Sequence, residues 1–320
     1  MTSNDTAWVV GVDLGATKIA AGLVNPQNEV VQTVQVESRP EEGAAAVVER
    51  IAACVAQLRT ALPAGEQIVA LGACCPGPLD HASGMVFDPP NLTGWRDVPL
   101  QKMLEARLGL PAPIEHDAKA AALGEFYFGA GQGSQNMIFI VIGTGVGAAI
   151  IIDGQLYRGS TNSAGEVGHI TVDMHGPACS CGSNGCLEVY TAGPDLADRF
   201  REAIAGTDFV APAELDGKMI ADLAGQGQPQ ALQVFEQAGQ ALGVGIATMA
   251  HLFDIDTYII GSSVAKAGEL LLKPTREAVR YRAFASIGAR VKVMTSQLAD
   301  NAPILGMAYV ARQRGLGVGT

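Results

Sequence analysis

The stretch VVGVDLGATKIAAGLV, from Val9 to Val24, decides the fold. Two apolar runs flank a short turn that contains glycine, which is the pattern of a β-hairpin. A second stretch, FIVIGTGVGAAIIID from Phe139 to Asp153, has the same order of strand, glycine-rich turn and strand, and aligning the two puts Gly15 opposite Gly145. Single glycine hairpins are common, but two in register indicate a weak internal repeat. The pattern therefore predicts a nucleotide-binding α/β protein of two lobes, each of which begins with a β-hairpin.

Further elements follow each hairpin. In the first half the pattern predicts strands from Glu29, from Ile68 and over Pro113–His116, with helices from Gly43, Val98 and Ala118. In the second half it predicts a long helix over Ala231–Leu252, strands from Thr257 and Ala289, and helices after each of those strands, the last from Pro303. We predict a smaller lobe of residues 1–116 plus 300–320 and a larger lobe of residues 117–299.

Composition narrows the class of protein. The 320 residues carry a formal net charge of −11, and 48% are hydrophobic, so a large core is expected. The absence of a Lys/Arg cluster argues against nucleic acid and anionic membranes as partners. The longest uncharged apolar run, residues 137–152, is shorter than the roughly 20 residues of a spanning helix. With no signal-peptide pattern at the N-terminus, we expect a cytoplasmic protein.

The two glycine turns carry side chains suited to phosphate. Glycine allows close approach of the backbone, and Thr17, Lys18 and Thr144 add hydroxyls and a charge. Asp13 suits a hydrated Mg²⁺ ion. Ordinary turns with surface charges are the alternative, because neither turn matches a Walker loop or a dinucleotide fingerprint. The residues predicted to bind the nucleotide and its metal from these turns are Asp13, Gly15, Thr17, Lys18, Gly143, Thr144 and Gly145.

Three cysteines lie within eight residues in HGPACSCGSNGCLEV, from His175 to Val189. His169 precedes Cys179 by ten residues, and Cys181 and Cys186 follow. One imidazole and three thiolates form the tetrahedral ligand set of structural zinc. A disulfide fits poorly, because the expected compartment is reducing, two of the cysteines are too close to bridge, and three is an odd number.

Three carboxylates are candidates for further chemistry. The zinc loop would tie the segment of Glu166 to that of Glu188, and such carboxylates either accept hydrogen bonds from the vicinal hydroxyls of a sugar or are surface charges. Asp117 stands where a helix begins. It is either an N-cap or a general base for a hydroxyl that attacks a γ-phosphate, and the two roles are compatible.

These motifs together resemble the ROK family, the bacterial sugar kinases and repressors of the actin/hexokinase superfamily. DLGATK and GTGVG are similar to its two phosphate motifs, while GEVGH (from Gly165) and CSCGSNGCLE (from Cys179) are similar to its sugar and zinc signature. PPNLTGW (from Pro89) and DGQLYRG (from Asp153) are most similar to the glucokinase branch. The resemblance implies a two-lobed, actin-like (ribonuclease H-like) fold, each lobe a mixed sheet flanked by helices.

The resemblance also implies roles for individual residues. Asp117 would be the general base, and Gly261 would lie beneath the nucleotide. His169 would both bind zinc and contact the sugar. The substrate-binding residues implied are Asn91, His116, Asp117, Glu166, His169 and Glu188, and the cofactors are ATP, Mg²⁺ and structural Zn²⁺. The expected activity is ATP-dependent phosphorylation of the 6-hydroxyl of a hexose, most closely that of a glucokinase, by a homodimer or higher homo-oligomer.

The chain departs from the family pattern at several positions. His116 and Lys119 stand where asparagine is usual, Gly261-Ser262 replaces Gly-Gly, and Ala148 and Ala149 replace glycines. These departures leave open the sugar (N-acetylmannosamine, N-acetylglucosamine or fructose are alternatives) and the donor (polyphosphate instead of ATP). A regulator of the family needs an N-terminal helix-turn-helix domain, for which the sequence ahead of the strand near Ala7 is expected to leave no room.

Overall fold

The computed structural model describes residues 7–212 and 214–315 and divides into two compact units. The first unit runs through Gln132 and resumes at Asp300, and the second runs from Gly133 to Ala299. Each contains a five-stranded mixed sheet and helices, so the predicted α/β class is confirmed. Residues 1–6 and 316–320 of the predicted smaller lobe lie outside the described residues. Among the described residues, no helix is both long and apolar enough to cross a bilayer.

The first unit is built on a sheet of order β3-β2-β1-β4-β7. The hairpin and the strand after it are antiparallel, whereas β4 and β7 run parallel to β1. A short ladder of β5 and β6 stands apart from this sheet. The elements are β1 (Trp8–Leu14), β2 (Lys18–Val24), β3 (Val30–Glu37), α1 (Ala44–Arg59), β4 (Ile68–Cys75), β5 (Leu79–Asp80), β6 (Met85–Val86), α2 (Leu100–Leu108), β7 (Ile114–His116) and α3 (Asp117–Phe128).

The second unit repeats this topology with the order β10-β9-β8-β11-β12. A hairpin and its added strand are again antiparallel, and two strands again run parallel to the first strand of the hairpin. The elements are β8 (Met137–Ile142), β9 (Val146–Ile152), β10 (Gln155–Tyr157), α4 (Glu188–Thr191), α5 (Gly193–Ile204), α6 (Gly217–Gly225), α7 (Pro229–Phe253), β11 (Thr257–Gly261), α8 (Glu269–Arg282), α9 (Ala285–Gly288) and β12 (Lys292–Thr295).

The last helix, α10 (Ala302–Gly315), packs in the first unit with almost no space between backbones. A Cβ on Gly11 would lie 2.0 Å from the carbonyl oxygen of Ile304, and one on Gly306 would lie 1.8 Å from that of Ala120. Glycine is required at such contacts. The contact between α3 and α10 places α3 in the first unit. The predicted boundary at residues 116 and 117 was therefore wrong, and the division falls between residues 132 and 133.

Candidate active site

The parallel strands of the first unit bring two carboxylates to one edge of its sheet. Asp13 lies near the end of β1, opposite Cys74 on β4, and Cys75 lies opposite His116 on β7. Asp117 follows directly as the first residue of α3. The thiol of Cys74 donates a hydrogen bond to Oδ1 of Asp13 at 3.6 Å. The carboxyl ends of parallel strands are where ligands bind in open α/β sheets.

The two carboxylates have different proton affinities. Burial and the negative charge of Asp117 raise the pKa of Asp13 to about 6, against the lowering by the Cys74 thiol and by Lys18. Burial also raises the pKa of Asp117. The hydrogen bond and charge of His116, together with the Ala118 N–H, lower this pKa by more than burial raises it, so it lies below the ordinary value. Carboxyl groups with pKa values pushed apart are typical of acid–base sites.

His116, and not Asp117, is the N-cap residue of α3. The interpretation of Asp117 as the N-cap residue was wrong, because Asp117 is the first residue of the helix itself and the N-cap is the residue before it. The Ala118 N–H lies 2.6 Å from Oδ1 of Asp117 and 3.3 Å from Nδ1 of His116. Nδ1 itself lies 3.0 Å from Oδ1 of Asp117. The side chains are 35% and 42% exposed, respectively, so a ligand can reach both.

The remaining predicted residues of the first unit are on its surface. Thr17 and Lys18 are exposed in the hairpin turn, where the Gly15 N–H donates to the carbonyl of Lys18 at 2.9 Å. Asn91 is exposed within a turn closed by a hydrogen bond from the Leu92 N–H to the carbonyl of Pro89 at 3.0 Å. These side chains are free to meet a ligand from solvent.

In the second unit, the turn after β8 is braced by a distant carboxylate. Oε2 of Glu188 accepts a hydrogen bond from the Val146 N–H at 2.9 Å. A Cβ on Gly145 would lie 2.9 Å from the same oxygen, so this glycine makes room for the carboxylate. Glu188 is half-buried, whereas Glu166 is exposed. The surface-charge interpretation therefore fails for Glu188.

A cavity of about 400 Å³ opens beside this turn, and Gly143 and Thr144 line it. Gly261 ends β11 without lining the cavity, and a Cβ there would lie 2.4 Å from the ring of Phe139. The next residue, Ser262, has a φ of 76°, a left-handed conformation in which glycine is unstrained. Sequence reasoning missed the lining residues of α5, α6 and the segment after β11, which are Gly193, Pro194, Ala197, Asp198, Arg201, Leu215, Asp216, Gly217, Lys218, Ser263 and Val264.

The four predicted zinc ligands lie together in the second unit. Their ligand atoms are all within 4.8 Å of one another. Sγ of Cys179 lies 3.7 Å from Nδ1 of His169, and the Sγ atoms of Cys181 and Cys186 are 3.6 Å apart. A tetrahedral ion with Zn–S bonds of about 2.3 Å needs ligand atoms about 3.8 Å apart. The ligand set and its spacing therefore fit zinc, and the thiols are not joined as disulfides.

The backbone of this loop joins the two carboxylate segments. The Leu187 N–H donates to the carbonyl of Ile170 at 2.9 Å, and the His169 N–H donates to the carbonyl of Glu166 at 3.2 Å. Glu166 and Glu188 are thus linked through the loop that carries the cysteines.

Comparisons with known proteins fit this arrangement. A model described as ROK family matches residues 9–314. A glucokinase from Streptomyces coelicolor is 36% identical over 317 residues, covering 95% of this chain and 97% of that protein. A xylose repressor from Bacillus subtilis is 31% identical over 306 residues, covering 95% of this chain and 76% of that protein. The structure of a ROK family glucokinase from Streptomyces griseus, in complex with glucose and AMPPNP, has a TM-score of 0.80 and 36% identity, covering 96% of this chain and all of that one.

Proposed function

Because this chain belongs to the ROK family, we propose that it is an ATP-dependent hexose kinase, a glucokinase that transfers the γ-phosphoryl group of ATP to the 6-hydroxyl of glucose. The observation that carries the proposal is the placement of two carboxylates, Asp13 near the end of β1 and Asp117 directly after β7, at one edge of the same sheet. Their pKa values are shifted in opposite directions. The full-length similarity to the Streptomyces coelicolor glucokinase supports the same activity.

In this proposal Asp117 is the general base. It stays ionised at neutral pH, since its pKa lies below the ordinary value, and it takes the proton of the 6-hydroxyl as the oxygen attacks phosphorus. Asp13 holds Mg²⁺ through its carboxylate, a ligand type that suits this ion. When bound, Mg²⁺ would neutralise the negative charge that develops on the transferring phosphoryl group.

Each unit has one glycine turn with groups that suit the phosphates of a nucleotide. Backbone N–H groups and the Thr144 hydroxyl in the turn after β8 bind phosphate oxygens. The cavity beside that turn has the size of a small-molecule site and takes the nucleoside. Gly261 ends β11 just ahead of Ser263 and Val264, which line the cavity. In the first unit, Gly15 provides close backbone approach, and Thr17 and Lys18 add a hydroxyl and a charge.

The sugar is assigned to polar side chains that can pair with its hydroxyls. Glu166 and Glu188 accept hydrogen bonds, while Asn91, His116 and His169 offer further polar atoms. A zinc ion held by His169, Cys179, Cys181 and Cys186 fixes the loop that carries these carboxylates. This ion is structural, because four protein ligands leave no open coordination position.

We further propose a cytoplasmic homo-oligomer, most simply a homodimer. Thiolate ligation of zinc suits a reducing compartment.

A second candidate activity is phosphorylation of another sugar, such as N-acetylmannosamine, N-acetylglucosamine or fructose. His116 is the reason to test this alternative. Its imidazole directs a donor and an acceptor differently from the way an asparagine amide does, so the hydroxyls that it pairs with can differ.

The test is a panel of hexoses and N-acetylhexosamines assayed with ATP and with polyphosphate, ranked by kcat/KM. The proposal expects glucose with ATP to rank first. A higher rank for another sugar would transfer the assignment to that sugar. Sugar binding without any turnover would instead support a regulator, as in the repressor branch.

A further inference from the structure

The imidazole of His116 is seated in one orientation beside Asp117. Its Nδ1 lies 3.0 Å from Oδ1 of the carboxylate. On its opposite edge, a Cβ on Gly77 would lie 2.8 Å from Cδ2 and 3.2 Å from Nε2 of the ring. The ring therefore fits between Asp117 and a position that only glycine leaves open.

The distances decide which ring nitrogen carries a hydrogen. If Nδ1 were an acceptor, its lone pair would face a carboxylate oxygen at 3.0 Å, which is repulsive. The Ala118 N–H is already closer to Oδ1 of Asp117, at 2.6 Å, than to Nδ1, at 3.3 Å. Nδ1 is therefore the donor, and in the neutral ring Nε2 is left as the acceptor.

We propose that His116 is a positioning residue for the catalytic base, holding Oδ1 of Asp117 through its Nδ1–H so that Oδ2 receives the proton of the sugar hydroxyl. This inference rests on the proposed kinase function. In the step, the hydroxyl oxygen forms its bond to the γ-phosphorus, the bond from that phosphorus to the leaving ADP breaks, and the proton moves to Oδ2. The ring's own contact with the sugar is then limited to Nε2.

The same pair makes the base sensitive to pH. Burial lowers the pKa of His116. The hydrogen bond to Asp117 and its charge together raise this pKa by more than burial lowers it, so it lies above the ordinary 6.5. Lys119 on α3 lowers it and Glu115 on β7 raises it, while Asp13 on β1 and Cys74 on β4 face Asp117. When the ring is charged, its hydrogen bond holds the ionised carboxylate more strongly and makes it a weaker base.

The first test reads the ring directly and needs no turnover. In ¹⁵N NMR of the full chain, His116→Asn identifies the His116 signal among the five histidines. We expect a neutral ring with the hydrogen on Nδ1, and a lower His116 pKa in Asp117→Asn. A neutral ring protonated on Nε2, or a pKa unchanged in Asp117→Asn, would overturn the inference.

The second test is the pH profile of kcat at saturating glucose and MgATP. The wild type is expected to lose about five- to tenfold between roughly pH 8.5 and 6, the difference between a neutral and a charge-assisted hydrogen bond. His116→Asn should lose less than about twofold over this range, because asparagine places no titrating ring nitrogen beside Asp117. Asparagine is also a favoured N-cap residue, so the start of α3 should be preserved. Gly77→Ala, which displaces the ring without removing it, should flatten the profile in the same way.

The outcomes separate the two proposals. A profile with the same acidic limb in His116→Asn as in the wild type would show that His116 is only a cap and that another group, such as Asp13, titrates. A wild type that phosphorylates no sugar would refute the kinase proposal, while the NMR result would still decide the orientation and pairing of His116.

Discussion

Replacing Asp13 with asparagine should stabilise the first unit while abolishing activity. The pKa of Asp13 is raised from 3.8 to about 6, chiefly by burial and the charge of Asp117. Because the folded state binds this proton more tightly than the unfolded state, its contribution to stability is fully present below pH 3.8 and is lost as the pH rises through about 6. Above that pH the ionised carboxylate costs at most about 3 kcal/mol, since one pKa unit corresponds to about 1.36 kcal/mol. Asp13→Asn removes the charge and keeps an acceptor for the Cys74 thiol.

The assay is urea unfolding without Mg²⁺ or nucleotide, followed by tryptophan fluorescence. Both tryptophans, Trp8 and Trp95, belong to the first unit, and Trp95 is fully buried, so the signal reports on that unit. The gain in the free energy of unfolding should reach up to about 3 kcal/mol near pH 8 and shrink toward zero near pH 4.

Asp80→Asn is the matched control in the same unit. Hydrogen bonds from Ser83 and Ala82 lower the pKa of Asp80, so this substitution should lose stability at neutral pH and converge with the wild type in acid. An Asp13→Asn protein that is no more stable than the wild type near pH 8, or whose gain is independent of pH, would refute the reasoning.

Two further changes test the second unit. Cys181→Ala should release the proposed zinc and weaken both sugar binding and turnover. Metal analysis and calorimetry of sugar binding measure these effects, and full metal content in the variant would exclude Cys181 as a ligand. Gly261→Ala should destabilise the unit by about 1–3 kcal/mol, since the new Cβ would lie 2.4 Å from the Phe139 ring, and thermal unfolding measures it; an unchanged midpoint would show that the ring moves aside freely.

Local patterns in the sequence were enough to predict the two hairpins and the cluster of His169 and three cysteines that could hold a metal ion. A glycine turn between two apolar runs specifies a hairpin within about 16 residues, and the cysteines lie within one loop. The carboxylate at residue 117 could be found for the same reason, since a strand-to-helix junction is visible in the chain.

Contacts between distant residues could not be predicted in this way. The hydrogen bond from Val146 to Glu188 spans 42 residues, and the packing of α3 on α10 depends on glycines that meet only in the folded unit. The cap of α3 was misassigned because histidine is not among the usual capping residues. The cavity lining was missed because it depends on α5 and α6, which the hydrophobic pattern did not predict.

The most direct test of the central claim is the rate of glucose 6-phosphate formation from ATP and glucose by the wild type and by Asp117→Asn, with binding of both ligands measured alongside. The account predicts that the wild type forms glucose 6-phosphate and that the variant binds glucose and ATP as before but is slower by about 10²- to 10⁴-fold, the usual cost of losing a general base. An Asp117→Asn enzyme that turns over within a few-fold of the wild type would contradict it.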